Sequence, residues 1–159
     1  MIKRLAFFAV ALGAALPALA HAVERGEAKA TVAGKTVTID YGRPSLKGRD
    51  MLAQAEVGKA WRMGADADTT LKTEADLKFG EVAVPKGDYV LKATKVAADK
   101  WELNFTKADG AAVAAVPLTP QKLSDNVETF TIELTGGGAA GEFMMKWGAT
   151  GLKTPFTVK

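Results

Sequence analysis

The chain has 159 residues, 48% of them hydrophobic, with no cysteine, one histidine and a formal net charge of +3. Without thiols it has no disulfide, no thiolate metal site and no Cys–His nucleophile. The single histidine, His21, falls in a segment expected to be removed, so the remaining chain also lacks a Ser–His–Asp triad, an imidazole base and the usual zinc, copper and haem ligands.

The N-terminus reads as a leader. Met1-Ile2-Lys3-Arg4 is basic, residues 5–16 are apolar, and Ala20-His21-Ala22 is a small-x-small cleavage signal. A signal peptide over 1–22, cut after Ala22, leaves one domain over 23–159. The apolar run is too short to span a bilayer and no later segment resembles a spanning helix, so the expectation is a soluble periplasmic or secreted protein. Lys3 and Arg4 leave with the leader, and the remainder is close to neutral. That gives no electrostatic case for nucleic acid or for an acidic lipid surface. No cofactor and no metal site are expected, and the sequence does not set the oligomeric state.

From residue 28 onward apolar residues recur in steps of two, the pattern of half-buried antiparallel strands. Ala33-Gly34-Lys35 separates two short runs, the second carrying Val37, Ile39 and Tyr41 on one face. Leu77 and Phe79 are odd and Val82 and Val84 even, so the parity flips at Gly80-Glu81, which predicts a bulge. Val84-Pro85-Lys86-Gly87 suits a type I turn. Asp99-Lys100 precedes a strand with Trp101, Leu103 and Phe105, and Ala108-Asp109-Gly110 ends it. Phe130, Ile132 and Leu134 form another alternating run. Gly136-Gly137-Gly138 reads as a flexible connection, and Phe143, Met145, Trp147, Phe156 and Val158 alternate after it. The aromatic residues on these runs read as core rather than as a carbohydrate platform. Roughly nine or ten strands with regular turns predict an all-β fold, a single-domain antiparallel β-sandwich of jelly-roll type.

Residues 42–68 do not alternate. Leu46, Met51, Leu52, Val57 and Trp61 ask for burial, so this long connection is expected to be ordered. Asp50 to Val57 suits a short helix with Asp50 as N-cap and Gly58 just beyond its end.

The same stretch carries a recognisable series: Tyr41-Gly42-Arg43-Pro44-Ser45, Lys47-Gly48-Arg49, Gly58-Lys59-Ala60-Trp61-Arg62-Met63-Gly64-Ala65, Thr69-Thr70, and later Pro85-x-Gly87-x-Tyr89. Together these resemble the secreted bacterial family catalogued as domain of unknown function 2911, from about residue 28 to Phe105. The resemblance implies an export signal and an all-β domain, and no particular activity. Members of that family often carry Asn and Glu in a Gly-Ala-Asn-Glu-Ala-Thr stretch, where this chain has Asp66 and Ala67.

The chemistry on offer concentrates in the irregular stretch. After the leader the arginines are Arg25, Arg43, Arg49 and Arg62, and the last three lie within it, near Lys47 and Lys59. Arginine grips a carboxylate or phosphate with two parallel bonds. One reading makes Arg43, Arg49 and Arg62 the donors of an anion pocket, with Tyr41 and Trp61 as stacking walls and Lys47 beside them. The other has the guanidiniums pin the loop through Asp50, Asp66, Asp68 and loop carbonyls, since a long loop has many backbone groups to satisfy. Asp66-Ala67-Asp68 offers two carboxylates that suit glycoside chemistry if their separation fits, or simple turn capping. The calcium pattern of an EF-hand is absent. Ser45-x-Lys47 lacks the spacing of a Ser–Lys hydrolase.

Three functions follow. The leading one is a non-enzymatic binding or accessory domain whose ligand surface is residues 41–70 and whose ligand is a small anion, a carboxylated glycan or a peptide terminus. The second is a carboxylate-dependent glycan hydrolase using Asp66 and Asp68. The third is a structural domain that docks on another envelope protein through a strand edge.

Overall fold

The computed structural model describes residues 22–159. The expected leader, with His21, lies outside the described residues except for Ala22. The strands are β1 (Arg25–Val32), β2 (Lys35–Gly42), β3 (Ala60–Trp61), β4 (Thr69–Thr73), β5 (Leu77–Phe79), β6 (Val82–Val84), β7 (Gly87–Ala97), β8 (Lys100–Thr106), β9 (Ala112–Gly137) and β10 (Ala140–Val158). The described residues form no helix, and every strand pairing is antiparallel. The fold is all-β.

Hydrogen bonds run through one ladder in the order β1-β2-β4-β7-β8-β9-β10-β5-β6, with β3 attached to β7. The ladder bends over on itself, and both of its edges, β1 and β6, lie against β9. The core lies inside the bend. Its fully buried side chains include Ile39 of β2, Leu91 of β7, Leu103 and Phe105 of β8, Phe130 of β9, and Phe143, Met145 and Leu152 of β10. All of these but Leu91 and Leu152 are residues that the sequence pattern assigns to the inner face, because successive side chains on a strand point to opposite sides.

Three connections differ from the sequence expectation in an instructive way. Gly80-Glu81 is the two-residue loop of a hairpin, not a bulge: Phe79 pairs with Val82 and Leu77 with Val84. A chain reversal also flips parity while keeping both apolar pairs on one face, and Gly80 supplies the positive φ (59°) that such a turn needs at its first central position. Gly136-Gly137-Gly138 is not a flexible link. Gly136 and Gly137 are the end of β9, and only Gly138-Ala139 turns. Val84-Pro85-Lys86-Gly87 is a bend from which Gly87 (φ 148°) opens β7, held by the Lys86 N–H donating to Asp76 Oδ1 at 2.7 Å.

β9 and β10 are much longer than ordinary strands because each serves two neighbours. The first part of β9 pairs with β8 up to Leu118, and from Thr119 it pairs with β10. The second ladder is interrupted. Gly148 faces Val127 and Thr150 already faces Lys122, so residues 123–126 stand out of register. Pro117 and Pro120 lie at this crossing, where a residue without an N–H is tolerated. The irregular segment docks beside the interruption.

Candidate functional site

The irregular segment leaves β2 at Gly42 and rejoins the sheet at Thr69. Its first half attaches to β9 through an isolated bridge between Ser45 and Thr129. Phe130 N–H donates to the Pro44 carbonyl and Leu46 N–H to the Glu128 carbonyl, both at 2.9 Å. Glu128 takes two more donors: the Lys47 N–H on its carboxylate (3.0 Å) and the Trp147 indole N–H on its carbonyl (3.2 Å). This pairing with the segment explains why β9 departs from β10 near residue 128.

The expected helix over Asp50 to Val57 is a single turn. Asp50 does cap it, accepting the Ala53 N–H on its side chain at 3.0 Å, while Gln54 N–H reaches the Asp50 carbonyl at 3.2 Å. The chain then bends away, because a lone helical turn gains little from propagation without a longer apolar face to bury. Leu46 and Leu52 are buried as expected, but Val57 is 60% exposed, set out by the turn in which Gly58 (φ 83°) donates to the Lys95 carbonyl.

Trp61 is claimed by a strand. In β3 it pairs with Ala93 of β7, and its ring stacks on Trp147 with centroids 5.6 Å apart and planes 17° apart. It also meets the edge of Phe130 at 5.2 Å. Tyr41 approaches the same Phe130 edge-on at 5.7 Å, is buried, and donates its hydroxyl to the Ile132 carbonyl at 3.3 Å. The four rings form one cluster that anchors the segment to the sheet.

The second half of the segment is a strained corner. Met63 (φ 54°) and Asp66 (φ 65°) occupy left-handed backbone, as does Lys47 (φ 51°) earlier on. Such positions cost on the order of 1–2 kcal/mol each for a residue with a side chain. They persist here because tertiary contacts over-determine them. Met63 is fully buried and its carbonyl accepts the hydroxyl of buried Thr69 at 2.6 Å. Gly42 lets the corner pass over β2, since a Cβ there would run into the Ala65 carbonyl.

The arginines are held by different partners. Arg43 pairs with Glu24 at 3.2 Å, and its buried Nε has no hydrogen-bond partner. Arg62 donates to the Asp66 carbonyl at 3.1 Å. Arg25, outside the segment, pairs with Asp40 and donates to the Ala67 and Asp68 carbonyls at 3.2 Å. The Asp66 carboxylate accepts the Val23 N–H at 2.8 Å. Arg49 instead lines a cavity of about 260 Å³ with Asp50, Asn126, Glu128 and Gly148. So Arg25 and Arg62 bind the corner and Arg43 ties Glu24 to the start of the segment, while Arg49 faces open space.

Two further cavities border the same segment. One of about 440 Å³ lies between Leu52 and Ala53 on one side and Lys95, Asp99, Gln121, Lys122 and Thr150 on the other. The other, of about 260 Å³, runs from Met51 to Trp61 and includes Glu56 and Lys59. Sequence reasoning passed over Lys95, Lys122 and Asn126. The prolines at 117 and 120 and the glycines at 148 and 151 were the available signal, because both residue types mark broken strand pairing. Among the described residues no group of three or more His, Cys, Asp or Glu side chains is placed to hold a metal ion.

An all-β chain with this irregular, aromatic-anchored segment matches a known family over residues 24–156, the one described as "Protein of unknown function (DUF2911)". The chain belongs to that family. No curated protein and no solved structure matches it significantly. No helix among the described residues is long and apolar enough to cross a membrane.

Proposed function

We propose that this protein is an exported binding or accessory domain spanning residues 23–159, without catalytic activity of its own. Its ligand surface is the face where the 41–70 segment crosses the interrupted β9–β10 ladder. The ligand is a small anion, such as a carboxylated sugar or a peptide terminus. The observation that carries this reading is the gathering of three cavities around residues 46–61, with Arg49 lining one and Lys95 and Lys122 lining the largest. The left-handed Lys47, Met63 and Asp66 support it, because backbone strain held in place by packing concentrates at functional positions. Arg49 is the favoured guanidinium donor, since Arg43 and Arg62 already bind partners within the fold. The hydrolase reading gains no comparable support: Asp66 accepts a backbone amide and its neighbour Asp68 is exposed.

Thermal unfolding at pH 7 with inorganic phosphate, glucuronate or glutamate tests this. A ligand that binds only the folded state raises Tm with concentration. At least one probe is expected to do so, and Arg49→Ala or Lys122→Ala should abolish the shift while leaving the ligand-free Tm within about 2 °C. If none of the three moves Tm, or if both variants respond as the parent does, the anion-binding reading is wrong.

A further inference from the structure

In the corner at residues 62–68, the Asp66 side chain holds a main-chain nitrogen rather than an arginine. The arginines of this part of the fold bind other groups. Arg62 donates to the Asp66 main-chain carbonyl, Arg25 pairs with Asp40 and donates to the carbonyls of Ala67 and Asp68, and Arg43 pairs with Glu24. Among the described residues no ion pair reaches the Asp66 carboxylate. What does reach it is the main-chain nitrogen of Val23, at 2.8 Å from Oδ2 and 43 residues away in sequence. Asp66 itself has left-handed backbone (φ 65°).

Val23 is also the residue that follows the cleavage signal Ala20-His21-Ala22. Hydrolysis of the Ala22–Val23 bond adds water across the amide, leaving a carboxylate on Ala22 and an ammonium on Val23. We infer that Asp66 is a built site for the α-ammonium that leader removal creates, and that processing thereby locks the irregular segment onto β1. This rests on the cleavage reading, not on the ligand reading. Before cleavage the Val23 nitrogen is a neutral amide with one hydrogen to give. After cleavage it carries a full charge and three hydrogens, and a neutral bond becomes a charge-assisted one. The lock joins the strand that starts the fold to the corner that holds Arg62. Capture of a chain terminus by a fixed acceptor is an established recognition mode.

The sign of the pH dependence follows from the amine. A carboxylate partner raises the folded-state pKa of the α-amino group above its unfolded value of about 7.7–8.0. The added stability is therefore complete below that value and is lost as pH rises through the folded pKa. The charged groups around Val23 and the corner are its neighbour Glu24 with that residue's partner Arg43, Arg25 with its partner Asp40, and Arg62 and Asp68.

The experiment compares the exported, processed protein with a chain carrying Gly-Ala ahead of Val23, each with and without Asp66→Asn. Intact mass and N-terminal sequencing should give Val23 as the first residue of the processed form. Its Tm at pH 7 should exceed that of the extended chain by about 3 °C, as expected for one partly exposed ion pair in a domain of this size. The difference should close by pH 10 and be absent in the Asp66→Asn pair. Asparagine keeps an acceptor oxygen, so the variant is expected to fold. A processed chain that begins at another residue overturns the inference. So does a Tm difference that survives Asp66→Asn, or no difference at pH 7. None of these outcomes depends on anion binding.

Discussion

Two aromatic clusters hold this molecule together, and they are built by different rules. In one, Phe79 touches Phe105 and Phe156 at 5.5 Å each, and Tyr89 meets Phe105 edge-on at 5.9 Å. All four rings sit on strands at inward-facing positions of an alternating pattern. In the other, Tyr41, Phe130 and Trp147 also come from regular strands, but Trp61 comes from a two-residue strand off the main ladder. The first cluster is a consequence of the sheet. The second is complete only when the irregular segment is docked, and Trp61 is one of the contacts that dock it. A segment held by few regular ladder bonds is expected to open locally before the sheet does, and the cavities are found beside it.

The largest effect should come from the regular cluster. Phe105→Ala removes a fully buried ring and is expected to cost about 3–5 kcal/mol. Urea unfolding should stay cooperative, with amide exchange faster throughout. Trp61→Ala should cost less, about 2–3 kcal/mol, because Trp61 is only partly buried and belongs to an attached element. Its signature is local: hydrogen exchange should accelerate over residues 43–68 while β7 and β8 keep their protection. If Trp61→Ala loosens the whole sheet as Phe105→Ala does, the two clusters are a single cooperative unit and the contrast fails.

A smaller change should go the other way. Ala33 (φ 51°) and Gly34 (φ 72°) form the two-residue turn between β1 and β2, with left-handed backbone at both positions. Ala33→Gly relieves the Cβ strain and should raise stability by up to about 1 kcal/mol, net of the entropy glycine adds to the unfolded chain. This turn lies on the regular side of the molecule, so the gain should leave exchange in residues 43–68 unaltered.

The smallest effect concerns acid. Glu74 has its pKa lowered, first by the Thr36 backbone N–H that its carboxylate accepts at 2.8 Å, then by the Thr36 side chain and by Lys35 and Lys72 nearby. A depressed carboxylate contributes stability above its unfolded pKa and loses it as pH falls through the folded one. Glu74→Gln should therefore flatten the Tm–pH curve only below about pH 4.5, with no change at neutral pH beyond a slight loss. A drop at pH 7 comparable to that of Trp61→Ala would show that this exposed bond supports more than its own turn.

Much of the regular part was legible. Alternation at Val37, Ile39 and Tyr41, and at Trp101, Leu103 and Phe105, assigns both the strands and their buried faces, and the structure buries all six. The Gly80-Glu81 parity flip is visible in the sequence but its cause, a hairpin, is not, because a bulge and a hairpin leave the same mark on a one-dimensional pattern. The Asp50 cap was readable, but the number of helical turns beyond it was not, since that depends on what the turn packs against. For Trp61 the need for burial was evident, whereas its partners, Trp147 and Phe130, lie about 70–90 residues away. The arginines were the least legible group. Residue type gives the charge and the fork, but Arg43 and Arg62 find partners within the fold while Arg49 faces a cavity.

The sequence by itself determined the all-β class, the inner face of the strands that alternate cleanly, and the absence of thiol and imidazole from any site after residue 21. Those properties are local, carried by side-chain period and residue type. Only the tertiary structure decided which strands are neighbours, how β9 and β10 break register, where the irregular segment rests, and which cation looks into open space. These depend on contacts between residues far apart in the chain, where packing and hydrogen-bond satisfaction choose among arrangements that local patterning leaves equal.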